Sequence, residues 1–152
     1  MPSLLRQMVF GLPRFMGAVL SPTSFGALAL VEQANKLVLV RQSYSEGWHL
    51  PGGGVQRGEP PVRAVLRELK EEIGLTWSSE PLLVGIFVRK LRLMTNIIAL
   101  YRVREARFDF KPNLEIREMV LADPAVPPPG TQPGVRRRLA EFMGEAPQSL
   151  TW

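Results

Sequence analysis

Glu68, Glu71 and Glu72 fall within five residues of a stretch with helical periodicity, and their spacing is the first sign of chemistry in the chain. At about 100° per residue, the three carboxylates share an arc of about 100° on one side of a helix. Side chains three and four residues apart stand about 5–6 Å apart at Cβ, so three anions placed this way repel one another. Salt bridges to Arg63, Arg67 and Lys70 would be the ordinary use of such a face. A hard divalent cation would instead remove the repulsion. Carboxylate oxygens are the ligands magnesium prefers, and magnesium completes its shell with water and substrate phosphate. Gly52, Gly53 and Gly54 precede this run, and residues without Cβ let backbone groups come close to a metal or a phosphate.

The elements that must position these groups are legible on either side. Val62, Leu66, Leu69 and Ile73 recur at spacings of four, three and four, which predicts a helix from Pro61 to Ile73 that ends at Gly74. Its apolar stripe points away from the glutamates and into the core. Pro60 and Pro61 suit a first helical turn but bring no capping oxygen, a loss of about 1 kcal/mol. Ala27 to Val31 and Leu37 to Gln42 read as a strand pair turning at Asn35, and Trp48, His49 and Leu50 as a short extended stretch. "LLVGIFVRK" and "NIIALYRV" read as strands connected by "RKLRLMT", and "EIREMVLA" as another strand. Asp123 to Gly134 is a proline- and glycine-rich loop. "VRRRLAEFM" is then a short amphipathic helix, with Val135, Leu139 and Phe142 inward and Arg136, Arg137 and Arg138 towards solvent.

The whole chain sets wider bounds. With 152 residues, 45% hydrophobic and 22% charged, it suits one domain with one core and excludes an intrinsically disordered chain. The absence of cysteine excludes disulfides, thiolate metal sites and a cysteine nucleophile, and makes a reducing compartment, the cytoplasm, the expected location. A net charge of +5 favours anionic partners. The apolar beginning is broken by Pro13 and Arg14 and again from Ser21 to Ser24, so neither a membrane span nor a secretory signal is expected. The expected organisation is an N-terminal arm over residues 1–25, a catalytic domain over 26–146 and a tail over 147–152.

The region from Gly53 to Leu75 resembles the signature of the Nudix hydrolases, G-x5-E-x7-R-E-U-x-E-E-x-G-U with U a bulky aliphatic. Gly53, Glu59, Arg67, Glu68, Leu69, Glu71, Glu72, Gly74 and Leu75 match every fixed position. The resemblance implies an α/β (α+β) fold, the family's α/β/α sandwich around a central mixed β-sheet. It further implies that Glu68, Glu71 and Glu72, with the Gly53 carbonyl, hold Mg²⁺ or Mn²⁺, that one of these glutamates acts as base, and that Arg67 and Glu59 steady them. The implied reaction is attack of water on phosphorus in a diphosphate linkage of a nucleoside diphosphate derivative. Some members recruit a further carboxylate from beyond the signature, for which Glu115 and Glu118 are the candidates here. Homodimers are common in similar proteins.

Outside the signature, Arg41, Trp48, His49 and Arg89 are the candidate substrate-binding residues, in and around the stretches "RQSYSEG" and "RKLRLMT". Two alternatives stand beside the small-molecule nucleotide: hydrolysis of the 5′ end of an RNA, and nucleotide sensing without turnover. Nucleic acid is disfavoured, because Arg136 to Arg138 lack a longer basic run or interleaved aromatics.

Overall fold

The computed structural model describes residues 22–152, so most of the expected N-terminal arm lies outside the described residues. In chain order the elements are β1 (Thr23–Gln33), β2 (Lys36–Gln42), β3 (Gly52–Gly54), α1 (Pro61–Ile73), β4 (Leu75–Trp77), β5 (Leu82–Leu91), β6 (Met94–Val103), β7 (Arg107–Phe108), β8 (Ile116–Ala122) and α2 (Pro133–Phe142). β1 begins at Thr23, inside the stretch expected to be arm.

Period-two alternation builds both faces of one mixed sheet at once. Its order is β5-β6-β1-β2-β8, with β3 also against β1, while β4 and β7 form a separate pair. β1 runs parallel to β6 and antiparallel to β2 and β3. The β1–β2 turn places Ala34 and Asn35 at φ 49° and 61°, the left-handed conformation that a two-residue turn between twisted strands requires. One edge of β1 follows β6 from Thr23 to Val31. The other edge divides, meeting β3 at Gly26 to Leu28 and β2 at Glu32 and Gln33, so β2 and β3 fork apart.

β5 and β6 pair almost to their tips, Leu91 opposite Met94, so most of "RKLRLMT" is strand and only Arg92 and Leu93 turn. Side chains at a sheet edge can stand in water while the backbone still pairs, so the alternation continues past the point where burial stops.

Ala27, Ala29, Val31, Ala99 and Val103 line the face beneath α1, where they pack on Ala64, Val65, Leu69 and Ile73. Three alanines on that face let the helix approach the sheet closely. Burying Leu69 and Ile73 contributes about 1.5–3 kcal/mol each. Val62 and Leu66 are only partly buried, and the buried side of α1 is instead Ala64, Val65, Leu69, Glu72 and Ile73. Gly74 ends the helix at φ 69°, and a Cβ there would stand 2.3 Å from the Asp109 carbonyl oxygen, so only glycine fits.

The opposite face presents Leu30, Leu37, Leu39, Phe87, Ile98 and Leu100 to Val135 and Leu139 of α2. Here one sequence expectation fails: Arg138 is buried, not solvent-facing. Helical spacing assumes a single packed neighbour, whereas α2 has two, the sheet and the C-terminal residues. Val88 donates its N–H to the Leu150 carbonyl at 3.0 Å, and Trp152 donates to the Val88 carbonyl at 3.0 Å, so the expected tail is stitched to the edge of β5. The whole is helix on sheet on helix, the sandwich anticipated from the sequence. Among the described residues no helix is long and apolar enough to cross a membrane.

Candidate active site

The fork between β2 and β3 faces the C-terminal half of α1, and the glutamates meet the glycine strand there. Glu72 is 2% exposed, and its Oε2 accepts the Gly52 N–H at 2.7 Å. Burial pushes its carboxyl up to about 8. Glu68, Glu115 and Glu71 push the same way, and the Gly52 hydrogen bond opposes them. Glu68 lies flat against the backbone of Gly53: a Cβ on Gly53 would stand 2.6 Å from the Glu68 Cδ. The glycine at position 53 is therefore a space requirement of the neighbouring carboxylate.

Arg67 organises the outer side. Its Nε and Nη2 donate to the two oxygens of Glu59 at 2.9 and 3.0 Å, its Nη1 to Glu68 Oε1 at 2.7 Å, and its Nη2 also to the Gly54 carbonyl at 3.0 Å. Such a two-pronged, charge-assisted pairing fixes orientation as well as distance. Glu59 is held down to about 2 by these bonds from Arg67, helped by the Gln56 N–H and opposed by burial, and Arg67 is raised in turn. The two residues implied to steady the site are joined to each other and to Glu68.

Glu115 completes the inner group. One carboxylate oxygen from each of Glu68, Glu72 and Glu115 lies within 4.8 Å of the others. Asn113 sets the loop that carries it. Its Oδ1 accepts the N–H groups of Glu115 and Ile116 at 3.0 and 2.9 Å, while its Nδ2 donates to the Glu72 carbonyl at 3.1 Å. Helical and strand periodicity do not single out Asn113; an Asn two residues before a candidate ligand is an Asx-turn signal that does. Glu118 is engaged elsewhere, 3.1 Å from Arg41. Glu71 is exposed beside the group, its Oε2 3.5 Å from Arg67 Nη1.

A divalent cation fits this donor set. Three carboxylates converge, one of them buried with its charge opposed by the other two, and the Gly53 and Gly54 strand runs alongside without side chains in the way. A cation there would convert mutual repulsion into coordination.

A cavity of about 830 Å³ opens from Gly53 and Gly54 and runs between β1, β6 and α2. Its lining includes Arg89, Arg137, His49, Asn96, Phe25 and Trp152, with no carboxylate among the described residues that form it. His49 Nε2 sits 2.9 Å from the Glu46 carbonyl oxygen and 3.2 Å from the Ser45 hydroxyl. Burial lowers its pKa and Arg89 lowers it further, against the bond to Glu46. Of the four candidate substrate-binding residues, His49 and Arg89 line the cavity. Trp48 packs in the core under α2, and Arg41 lies over its ring at 4.5 Å, outside the cavity.

A NUDIX domain model matches residues 20–121. A stretch of 48 residues is 44% identical to an RNA pyrophosphohydrolase of Hydrogenovibrio crunogenus, covering 32% of this chain and 29% of that protein. The match thus spans under a third of that relative's length. The fold is similar to that of a MutT NUDIX hydrolase from Burkholderia pseudomallei, with a TM-score of 0.70 at 19% identity, covering 78% of this chain and 97% of that one. A MutT protein from Methanosarcina mazei Go1 gives the same TM-score at 22% identity, covering 84% and 98%.

Proposed function

Because the chain belongs to the NUDIX family, we propose that it is a metal-dependent pyrophosphohydrolase that cleaves a diphosphate linkage in a nucleoside diphosphate derivative. The observation that carries this reading is the convergence of Glu68, Glu72 and Glu115 within 4.8 Å, on the glycine strand where the cavity opens. Glu68, Glu72 and Glu115, with the Gly53 carbonyl, are the residues that would hold Mg²⁺ or Mn²⁺. When bound, the cation would neutralise non-bridging phosphate oxygens that otherwise repel the nucleophile.

The chain's own groups account for the rest. Arg67, locked to Glu59, keeps Glu68 in one orientation, so the carboxylate need not be ordered during the reaction. A glutamate of the set takes the proton of the attacking water. A bond forms from that water oxygen to phosphorus, the bridging oxygen leaves with the second phosphoryl group, and two phosphorylated products result. Without a cation, burial holds the Glu72 proton up to about 8, and binding of the cation would displace that proton. Arg89 and His49 bind the part of the substrate beyond the diphosphate.

A second reading, the 5′ end of RNA, draws support from the short stretch shared with the Hydrogenovibrio protein and from the +5 charge. The test is hydrolysis of ADP-ribose, sugar nucleotides, dinucleoside polyphosphates, nucleoside triphosphates and 5′-triphosphate RNA, with and without Mg²⁺, by the wild type and by Glu72→Gln. Turnover that needs metal and is lost in the variant supports the reading, and the best substrate separates its two forms. Nucleotide binding without any cleavage overturns it in favour of a sensor.

A further inference from the structure

The C-terminal residues 149–152 are held against the substrate cavity by more contacts than a trailing end needs. Their backbone brackets Val88 on the β5 edge through bonds at Leu150 and Trp152. Arg138, 1% exposed, donates from Nη1 to the Thr151 carbonyl at 3.1 Å and from Nη2 to Glu141 Oε1 at 2.7 Å. The same Glu141 oxygen accepts the Ser149 N–H at 2.9 Å. The Arg138 guanidinium also lies 4.1 Å from the centre of the Phe87 ring and 5.4 Å from that of Trp152. One buried cation thus grips the segment at Thr151 directly and at Ser149 through Glu141.

The clamp delivers Trp152 to a defined place. Its ring meets Phe87 edge-on, with centroids 5.9 Å apart and planes at 80°. Against Gly134 the fit is so close that a Cβ would stand 2.4 Å from the indole Nε1. Arg137 of α2 donates to the Trp152 carbonyl oxygen. Trp152 and Arg137 both line the cavity that begins at Gly53, in a wall built from α2 and the C-terminal residues. Burying an arginine is costly even where it is paired, and among the described residues its Nε has no partner. What the arginine adds is a fixed wall.

We propose that residues 149–152 form the specificity wall of the substrate cavity, with Trp152 and Arg137 contacting the part of the substrate beyond the diphosphate and Arg138 acting as the positioning residue that holds the wall in place. An indole face beside a guanidinium suits a nucleobase or ribosyl group bearing hydrogen-bond acceptors. The proposal rests on the hydrolase reading for its substrate but not for its test.

The full chain labelled with 5-fluorotryptophan gives three fluorine resonances, from Trp48, Trp77 and Trp152, the last assigned by its loss in Trp152→Phe. Titration with ADP and Mg²⁺ is expected to move the Trp152 resonance. With the best substrate of the panel, Trp152→Ala is expected to raise KM about tenfold with kcat within about twofold. Arg138→Met is expected to do the same with Trp48 and Trp77 unmoved. Trp152→Ala leaves the Arg138 bonds to the Thr151 carbonyl and Glu141 in place, so it reads the wall even where Arg138→Met does not fold. A Trp152 resonance unmoved by ADP overturns the proposal, as does a Trp152→Ala loss confined to kcat. Failure of the hydrolase reading is a separate result, no wild-type turnover, and a Trp152 shift with ADP would stand beside it.

Discussion

Among the described residues, each helix packed on the sheet buries one charged residue of its own, Glu72 on α1 and Arg138 on α2. Their surroundings are opposite. Arg138 is met by a carboxylate, a carbonyl and two aromatic rings. Glu72 is met by a single backbone N–H and by other carboxylates, and burial, helped by those carboxylates against the N–H, holds its proton up to about 8. A buried charge met by opposite charge and acceptors fixes the chain around it, and one opposed by its neighbours is waiting for something the chain does not contain. The contrast separates structural from functional burial more sharply than exposure alone, which is nearly the same for the two.

The sharpest way to break the comparison is Glu72→Gln. It should lower metal-dependent turnover by roughly 10²–10⁴-fold, the span typical of removing a group that moves a proton or holds the charge, with little loss of thermal stability. Steady-state kinetics and melting curves read the two effects. Arg138→Met should chiefly cost stability, about 3–5 kcal/mol in denaturant unfolding, because Glu141, 11% exposed, is left with only the Ser149 N–H; a variant as stable as the wild type would remove the contrast.

Titration sharpens it next. The folded carboxyl of Glu72 lies near 8 and an ordinary one near 4.5, so folding takes up a proton between those values. The metal-free protein should therefore lose stability as pH rises from about 4.5 to about 8 and level off above, by about 5 kcal/mol if the shift is fully expressed. Mg²⁺ should flatten that slope, and its binding at pH 7 should release protons, seen by calorimetry in buffers of different ionisation heat. A slope of opposite sign would mean that Glu72 is ionised in the fold.

Smaller effects test the supports. Arg67→Lys keeps the charge but cannot fork onto Glu59, and should weaken metal affinity about 10–100-fold. Gly53→Ala should weaken it about tenfold, because Glu68 must move aside for the methyl.

How far the sequence shows this site depends on distance along the chain. Glu68, Glu71 and Glu72 share a face by local geometry, and the strands show themselves by alternation at Ala27, Ala29 and Val31. Glu115 was legible only as one of two alternatives with Glu118, because the choice is made by register. β8 sets Glu118 opposite Arg41, which takes it, and leaves Glu115 to the loop that Asn113 ties to α1. Arg138 was misread for a related reason: its partner, the segment around Thr151, arrives from outside the helix and leaves no mark on the helix's own periodicity. Trp48, a candidate for substrate binding from the sequence, is core, as an aromatic residue in an extended stretch is by default, because tertiary packing buries it under α2.

Asn113 also has a kinetic meaning. Its side chain joins the last turn of α1 to the start of β8, so fraying at either place breaks hydrogen bonds at the other. Amides of Glu115 and Ile116 should then exchange with solvent deuterium in step with those at the end of the helix, as one cooperative opening unit. Glu115 would be carried off whenever that unit opens, and a ligand bridging Glu72 and Glu115 would slow exchange across both segments at once.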